Sequence, residues 1–266
     1  DLIKRDAARR DGDKARPRIE VVGLGGPWQN AAMVLGFEST NGYNPLRIGP
    51  YDRLVSPGES PWIVTHRLFP KSFPSYDCSL ARLLGLEYVV LDRPIDQMPH
   101  LARKGSAEVL ASGPKNWVYR LPNAAPRVTL NPRVLLADAE ALIEDGQFPA
   151  EIGPADVLID ADEELTQKYA ALAGGDAGTA EITSWRPDRV EIAVNARAPS
   201  IVTLHDLWYP GWEAEVDGVT RPVLRADVLF RGVEVPAGAH RIVFSYRPLS
   251  IENLLAAARD ALGLED

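Results

Sequence analysis

At 266 residues, with 45% hydrophobic and 25% charged residues, the chain is long and apolar enough for one large domain or two small ones, which excludes an intrinsically disordered segment. Its net charge of −8 and pI near 5.1 exclude broad contact with nucleic acid or anionic lipid, since both need a basic surface, although a local basic patch stays open. The single cysteine, Cys78, cannot form an internal disulfide and reads as a small buried hydrophobe.

Asp1 to Arg18 is dense in mixed charge and has no core-forming period beyond Leu2 and Ile3, so it reads as a charged tether or a solvated helix. A strand at Ile19 to Val22 runs into Gly23-Leu24-Gly25-Gly26. That loop has the place of a phosphate cradle, but the third glycine of G-x-G-x-x-G would fall on Trp28, too bulky for the close packing that glycine permits. A plain turn is the better reading. Helical spacing covers Asn30 to Gly36 and Ser79 to Leu84. The 49–78 and 92–116 stretches, rich in proline and polar residues without a period, read as long surface loops.

Further strands are predicted at Tyr88 to Leu91, Trp117 to Leu121, Val128 to Leu130 and Val157 to Ile159. Helices are predicted at Asp138 to Asp145, which starts on a good N-cap and ends before Gly146, and at Asp162 to Leu172. The acidic cluster Asp160, Asp162, Glu163 and Glu164 raises a calcium reading, yet it lacks the glycine and the distant glutamate of a calcium loop. The helix macrodipole suffices to explain acids there. The segment 174–180 is the most linker-like in the chain and sets an expected boundary near 178.

From Val190 onward the pattern is β. Val190, Ile192 and Val194 alternate with polar residues, and so do Trp212, Ala214 and Val216 with Glu213, Glu215 and Asp217. Asp217-Gly218 supplies a tight hairpin, and Pro236-Ala237-Gly238 turns the chain into a run from Arg241 to Tyr246. The expected architecture is therefore α+β: a mixed α/β domain over 19–178, an antiparallel β-sandwich over 179–249 and a C-terminal helix over 250–266.

Tyr209-Pro210-Gly211-Trp212, Val216-Asp217-Gly218, Arg231-Gly232-Val233, Pro236-Ala237-Gly238-Ala239-His240 and Tyr246-Arg247-Pro248 follow one another in the order seen in YfhO-type bacterial membrane proteins. The chain thus resembles the extracytoplasmic C-terminal region of that family, which is related to the fold-C glycosyltransferases. Trp28-Gln29-Asn30, Glu38 to Leu46, Leu83 to Val90 and Asn123 to Arg127 add to the likeness. The resemblance implies membrane helices ahead of Asp1, a catalytic centre in an early loop outside this chain, and a place on the periplasmic face of the cytoplasmic membrane. Its partners would be the transmembrane portion of the same polypeptide and a glycan or lipid-linked sugar. Glu252, Arg259 and Asp260 forbid a span at the C-terminal end, where family members re-enter the membrane.

Catalytic motifs are not found. His66, His100, His205 and His240 lack zinc spacing, no G-x-S-x-G elbow occurs, and no cofactor is expected. His205-Asp206 would point to opposite faces of a strand. The candidate ligand-binding residues are Trp208 and Tyr209, flat rings beside the core residue Trp212, and the turn residues Asn41, Tyr43 and Asn44, whose amides and ring suit sugar hydroxyls. The expectation is a non-catalytic ectodomain that guides an acceptor glycan. A secreted carbohydrate-binding module, or an α/β enzyme with an appended sandwich, are the alternatives.

Overall fold

The computed structural model describes residues 2–11, 16–28, 31–41, 48–57, 63–103, 105–149, 152–160, 168–169, 172, 174–250 and 254. The protein is mostly β, with few helices and several sheets. It divides into two compact units, Asp1–Pro126 with Glu140–Glu151, and Arg127–Ala139 with Ile152–Asp266. Among the described residues no helix is long and apolar enough to cross a membrane.

The first unit contains α1 (Leu2–Asp11), β1 (Arg18–Val22), α2 (Ala31–Leu35), β2 (Glu38–Ser39), α3 (Gly49–Val55), α4 (Ser79–Leu83), β3 (Leu86–Leu91), β4 (Glu108–Gly113) and β5 (Asn116–Arg120). Its sheet has the order β2-β1-β3-β5-β4, with β1 parallel to β2 and β3, and β5 antiparallel to β3 and β4. Side chains alternate across β1. Ile19 and Val21 join Ile3, Ala7, Ala32 and Tyr88 in one apolar cluster. Glu20, between them, meets Arg67 and Tyr76 instead.

Within the segment expected to be a charged tether or a solvated helix, residues 2–11 form helix α1, which is seated on the sheet. Ile3 and Ala7 stand four apart on α1 and are buried against the sheet, and Asp6 accepts a hydrogen bond from the Tyr88 hydroxyl and pairs with Arg120. Two apolar residues one turn apart are enough to seat a short helix whose remaining surface is charged. The described residues of 49–78 do not form a surface loop: they include α3 and the buried Arg67, Phe73 and Tyr76, with Phe69, Phe73 and Tyr76 in mutual ring contact. Irregular backbone carries no period, so its burial left no sequence signal. The 92–116 stretch holds β4, an edge strand whose side chains are mostly exposed and therefore do not alternate.

The second unit begins with β6 (Val128–Asn131) and β7 (Arg133–Ala137). Helix α5 (Ala139–Asp145) follows, belonging to the first unit from Glu140 onward. The second unit then continues through β8 (Asp156–Asp160), β9 (Gly178–Arg186), β10 (Arg189–Ala196), β11 (Ser200–Leu207), β12 (Trp212–Val216), β13 (Val219–Arg221), β14 (Leu224–Ala226), β15 (Phe230–Val235) and β16 (Gly238–Tyr246). One sheet has the order β13-β12-β16-β10-β9, the other β6-β11-β15-β14-β8-β7. Val190, Ile192, Trp212, Ala214, Ile242 and Phe244 of the first share a core with Leu130, Val202, Leu204, Val233 and Val235 of the second, as in a sandwich.

The expected boundary at 178 falls inside this unit, because β6, β7 and β8 complete the second sheet. Two strands far upstream in sequence, β6 and β8, pair with β11 and β14, and β7 extends the sheet beyond β8. The sandwich is also not wholly antiparallel, since β7 and β8 run parallel. Apart from Lys168, Tyr169 and Leu172, the helix expected at Asp162 to Leu172 lies outside the described residues. So does the C-terminal helix over 250–266, apart from Ser250 and Leu254.

Candidate functional site

The chain leaves β11 through Trp208 and Tyr209, bends at Pro210-Gly211 and enters β12 at Trp212. Gly211 has φ +102, and a Cβ there would lie 2.7 Å from Cε2 of Tyr246. Only glycine allows the bend to lie under that ring. The bend is held by a 2.6 Å hydrogen bond from the Arg247 N–H to the Gly211 carbonyl. Trp212 is paired across the sheet with Tyr246, placing their ring centroids 5.4 Å apart. Tyr209 closes the group edge-on, 6.1 Å from Trp212 and 5.4 Å from Tyr246.

The three rings differ in exposure. Trp212 is buried in the shared core, Tyr209 is half-buried, and Tyr246 is 37% exposed. The Arg231 guanidinium carbon lies 3.6 Å from the Trp212 ring centroid. Arg231 is itself buried and pairs with Asp206 at 3.2 Å, and Asp206 also accepts from Arg127 at 2.7 Å. A positively charged base stacked on the central ring fixes its plane, and a desolvated cation over an aromatic face is worth about 2 kcal/mol. Glu213 and Arg247 approach to 3.8 Å beside the rings in sequence.

The sequence-derived candidates do not form one site. Tyr209 belongs to the rim. Trp208 is half-buried and has the Arg225 guanidinium 5.9 Å from its ring, while its backbone N–H donates to the Leu229 carbonyl at 2.7 Å. Asn41 belongs to the first unit and is buried rather than offered to solvent. Its backbone N–H donates to Ser39 Oγ and its backbone carbonyl accepts from the same hydroxyl. The side-chain amide nitrogen is itself buried and so is not presented to a ligand in solvent. Tyr43 and Asn44 lie outside the described residues.

Sequence reasoning missed Tyr246 and Arg231. Tyr246 stands in step with the inward residues Ile242 and Phe244, so alternation assigns it to the core, whereas the end of β16 leaves it at the surface. Arg231 lies on a strand whose neighbours Phe230 and Val233 are buried. A charged residue inside an apolar strand was the available signal, because such a charge needs a partner.

Other candidate chemistry is occupied by structure. His205 is buried, with Nε2 3.0 Å from Thr129 Oγ1, while Asp206 serves the two arginines, so the adjacent pair does not act together. At Gly23, φ +81, a Cβ would lie 2.6 Å from the Asp92 carboxylate. The glycine loop therefore packs against an anion of the protein, which opposes a phosphate at the same place. Asp160 accepts from the N–H of Ala139, the first residue of α5, while Asp162, Glu163 and Glu164 lie outside the described residues. Cys78 is buried, its Sγ accepts from the Ala81 N–H, and burial raises the pKa of its thiol. Among the described residues no group of three or more His, Cys, Asp or Glu side chains could hold a metal ion.

No protein-family model, no curated protein and no solved structure matches the chain.

Proposed function

We propose that the chain is a non-catalytic ectodomain of a polytopic bacterial membrane protein of the YfhO type, on the extracytoplasmic face, whose second unit offers the rim of Tyr209 and Tyr246 to a glycan. In this reading a mixed α/β domain precedes a β-sandwich, and the partners are the membrane-spanning part of the same polypeptide and a lipid-linked or polymeric sugar. The observation that carries it is Tyr246, about one-third exposed and packed against Tyr209 and Trp212, the latter stacked with Arg231. Rigid, partly exposed rings with polar edges stack on sugar faces at little entropic cost. Asp206 and Glu213, carboxylates associated with the ring cluster, are engaged by arginines, which supports a binding rather than a reacting surface.

The test is calorimetry and glycan-array binding with the purified chain. Binding of a bacterial glycan that falls at least tenfold in Tyr246→Ala and in Tyr209→Ala supports the reading, and binding indifferent to both removes the rim from it. Sugar transfer by the purified chain, abolished by a point change within it, would overturn the non-catalytic role. The open reading frame separates an ectodomain from a secreted module, because only the former carries apolar segments of about 20 residues ahead of Asp1.

A further inference from the structure

The first unit carries an apolar face that its own core does not use. Helix α2 buries Ala31 and Ala32 but leaves Met33 77%, Val34 87% and Leu35 43% exposed, and Trp28, just before it, is 47% exposed. Scattered exposed hydrophobes are ordinary, but four within eight residues on one short turn and helix form a patch.

The charge around this patch differs in sign from the charge of the chain. Helix α1 packs beside α2, sharing with it the cluster that contains Ile3, Ala7, Ala32 and Phe37, and its exposed residues include Lys4, Arg5 and Arg9. Lys4 Nζ stands 5.6 Å from the Phe37 ring centroid, next to the end of α2. Among the described residues, Asp6 binds Tyr88 and Arg120, and Glu38 pairs with Arg18 at 3.4 Å. In a protein of net charge −8, the exposed described charges of α1 are thus basic, and Lys4 stands beside the end of the apolar helix.

We infer that this face docks on the surface of an anionic lipid bilayer. Trp28 would lie at headgroup depth, Met33, Val34 and Leu35 at the acyl boundary, and Lys4 and Arg9 against anionic headgroups, the division of labour of an interfacial amphipathic segment. The inference rests on the reading of the chain as an ectodomain beside a membrane and assigns which side of the first unit faces that membrane.

The experiment is sedimentation of the purified chain with vesicles of phosphatidylcholine containing 40% phosphatidylglycerol, against vesicles of phosphatidylcholine alone. Binding is expected to the anionic vesicles and to fall with salt. The double variant Met33→Ser with Val34→Ser should lower it at least fivefold, and Lys4→Glu should lower it several-fold while leaving the melting curve unchanged. A fluorophore on Val34→Cys should shift to the blue with anionic vesicles, an independent readout if the serine variant folds poorly. No binding to anionic vesicles, or binding indifferent to all these changes, overturns the inference. So does a lipid-free dimer that the serine variant dissociates, since the patch would then join two copies. Failure here leaves the glycan rim and the open reading frame test untouched, while an open reading frame without apolar segments removes the ectodomain reading and leaves vesicle binding as measured.

Discussion

Arg67 Nε meets Glu20 Oε1 at 3.0 Å with both side chains fully buried, in the middle of β1 of the first unit. The Tyr76 hydroxyl donates to the same carboxylate oxygen at 2.7 Å, and Arg67 Nη1 donates to the Val55 and Leu68 carbonyls. The guanidinium also lies 4.1 Å from the Phe69 ring centroid. One cation therefore ties Val55, Leu68 and the Phe69 ring to β1 through a set of side-chain contacts.

Removing either partner leaves a buried charge. Arg67→Met and Glu20→Leu should each cost about 3–5 kcal/mol, whereas the double change should cost much less than the sum, because two apolar side chains need no solvation. Tyr76→Phe removes one hydrogen bond to a charged group and should cost about 1.5–3 kcal/mol. Urea titrations of the four variants check this. Costs that simply add would show that the pair is not coupled.

In the second unit the Arg231 guanidinium does two things at once, stacking on Trp212 and pairing with Asp206. Arg231→Lys keeps the charge but loses the planar stack. It should cost about 2 kcal/mol and broaden the Trp212 environment, read as a red-shifted tryptophan emission. Arg231→Lys with unchanged stability and emission would show that the charge alone matters.

Three carboxylates set an acid limit. Asp217 is held below the ordinary carboxylate range by the Arg241 N–H and then by His240, and Glu191 by Arg241 and Arg189. Asp6 is raised by burial, but the Tyr88 hydroxyl, Arg120 and Arg10 together outweigh this and lower it. In each case the folded value lies below the unfolded one, so the stabilisation is complete above an unfolded pKa of about 4 and is lost as pH falls through the folded values. Thermal melts should be level through mild acid and fall steeply below about pH 4. Asp217→Asn, which tolerates the φ of 52 at that position, should flatten part of that fall. A melting temperature independent of pH down to 2.5 would contradict the assignment.

The sandwich was legible because its strands are half-buried: β10 and β12 alternate, and the Asp217-Gly218 turn marks a hairpin. What the sequence hid was partnership. β7 and β8 pair with each other and β8 with β14 across some 70 residues, and no local pattern encodes that. Trp208 and Tyr209 looked equivalent as adjacent rings, yet the bend at Gly211 brings Tyr209 to Trp212 and Tyr246 while Trp208 meets Arg225. Asn41 looked like an exposed turn amide because the burial of its side chain is invisible until the turn is built.

Gly211 is where fold and candidate site depend on the same atom. A Cβ there would meet Tyr246 Cε2 at 2.7 Å and the Pro248 Cα at 3.2 Å, and φ +102 is a conformation that side chains rarely adopt. The ring could swing away, but the Pro248 backbone could not without breaking the hydrogen bond from Arg247 to the Gly211 carbonyl. Gly211→Ala should therefore cost more than about 1 kcal/mol and displace Tyr246 from its braced position. The consequence separates packing from recognition: glycan binding should fall in Gly211→Ala at temperatures well below its melting point, as it does in Tyr246→Ala. Full binding by a folded Gly211→Ala protein would mean that the sugar is held somewhere other than this rim.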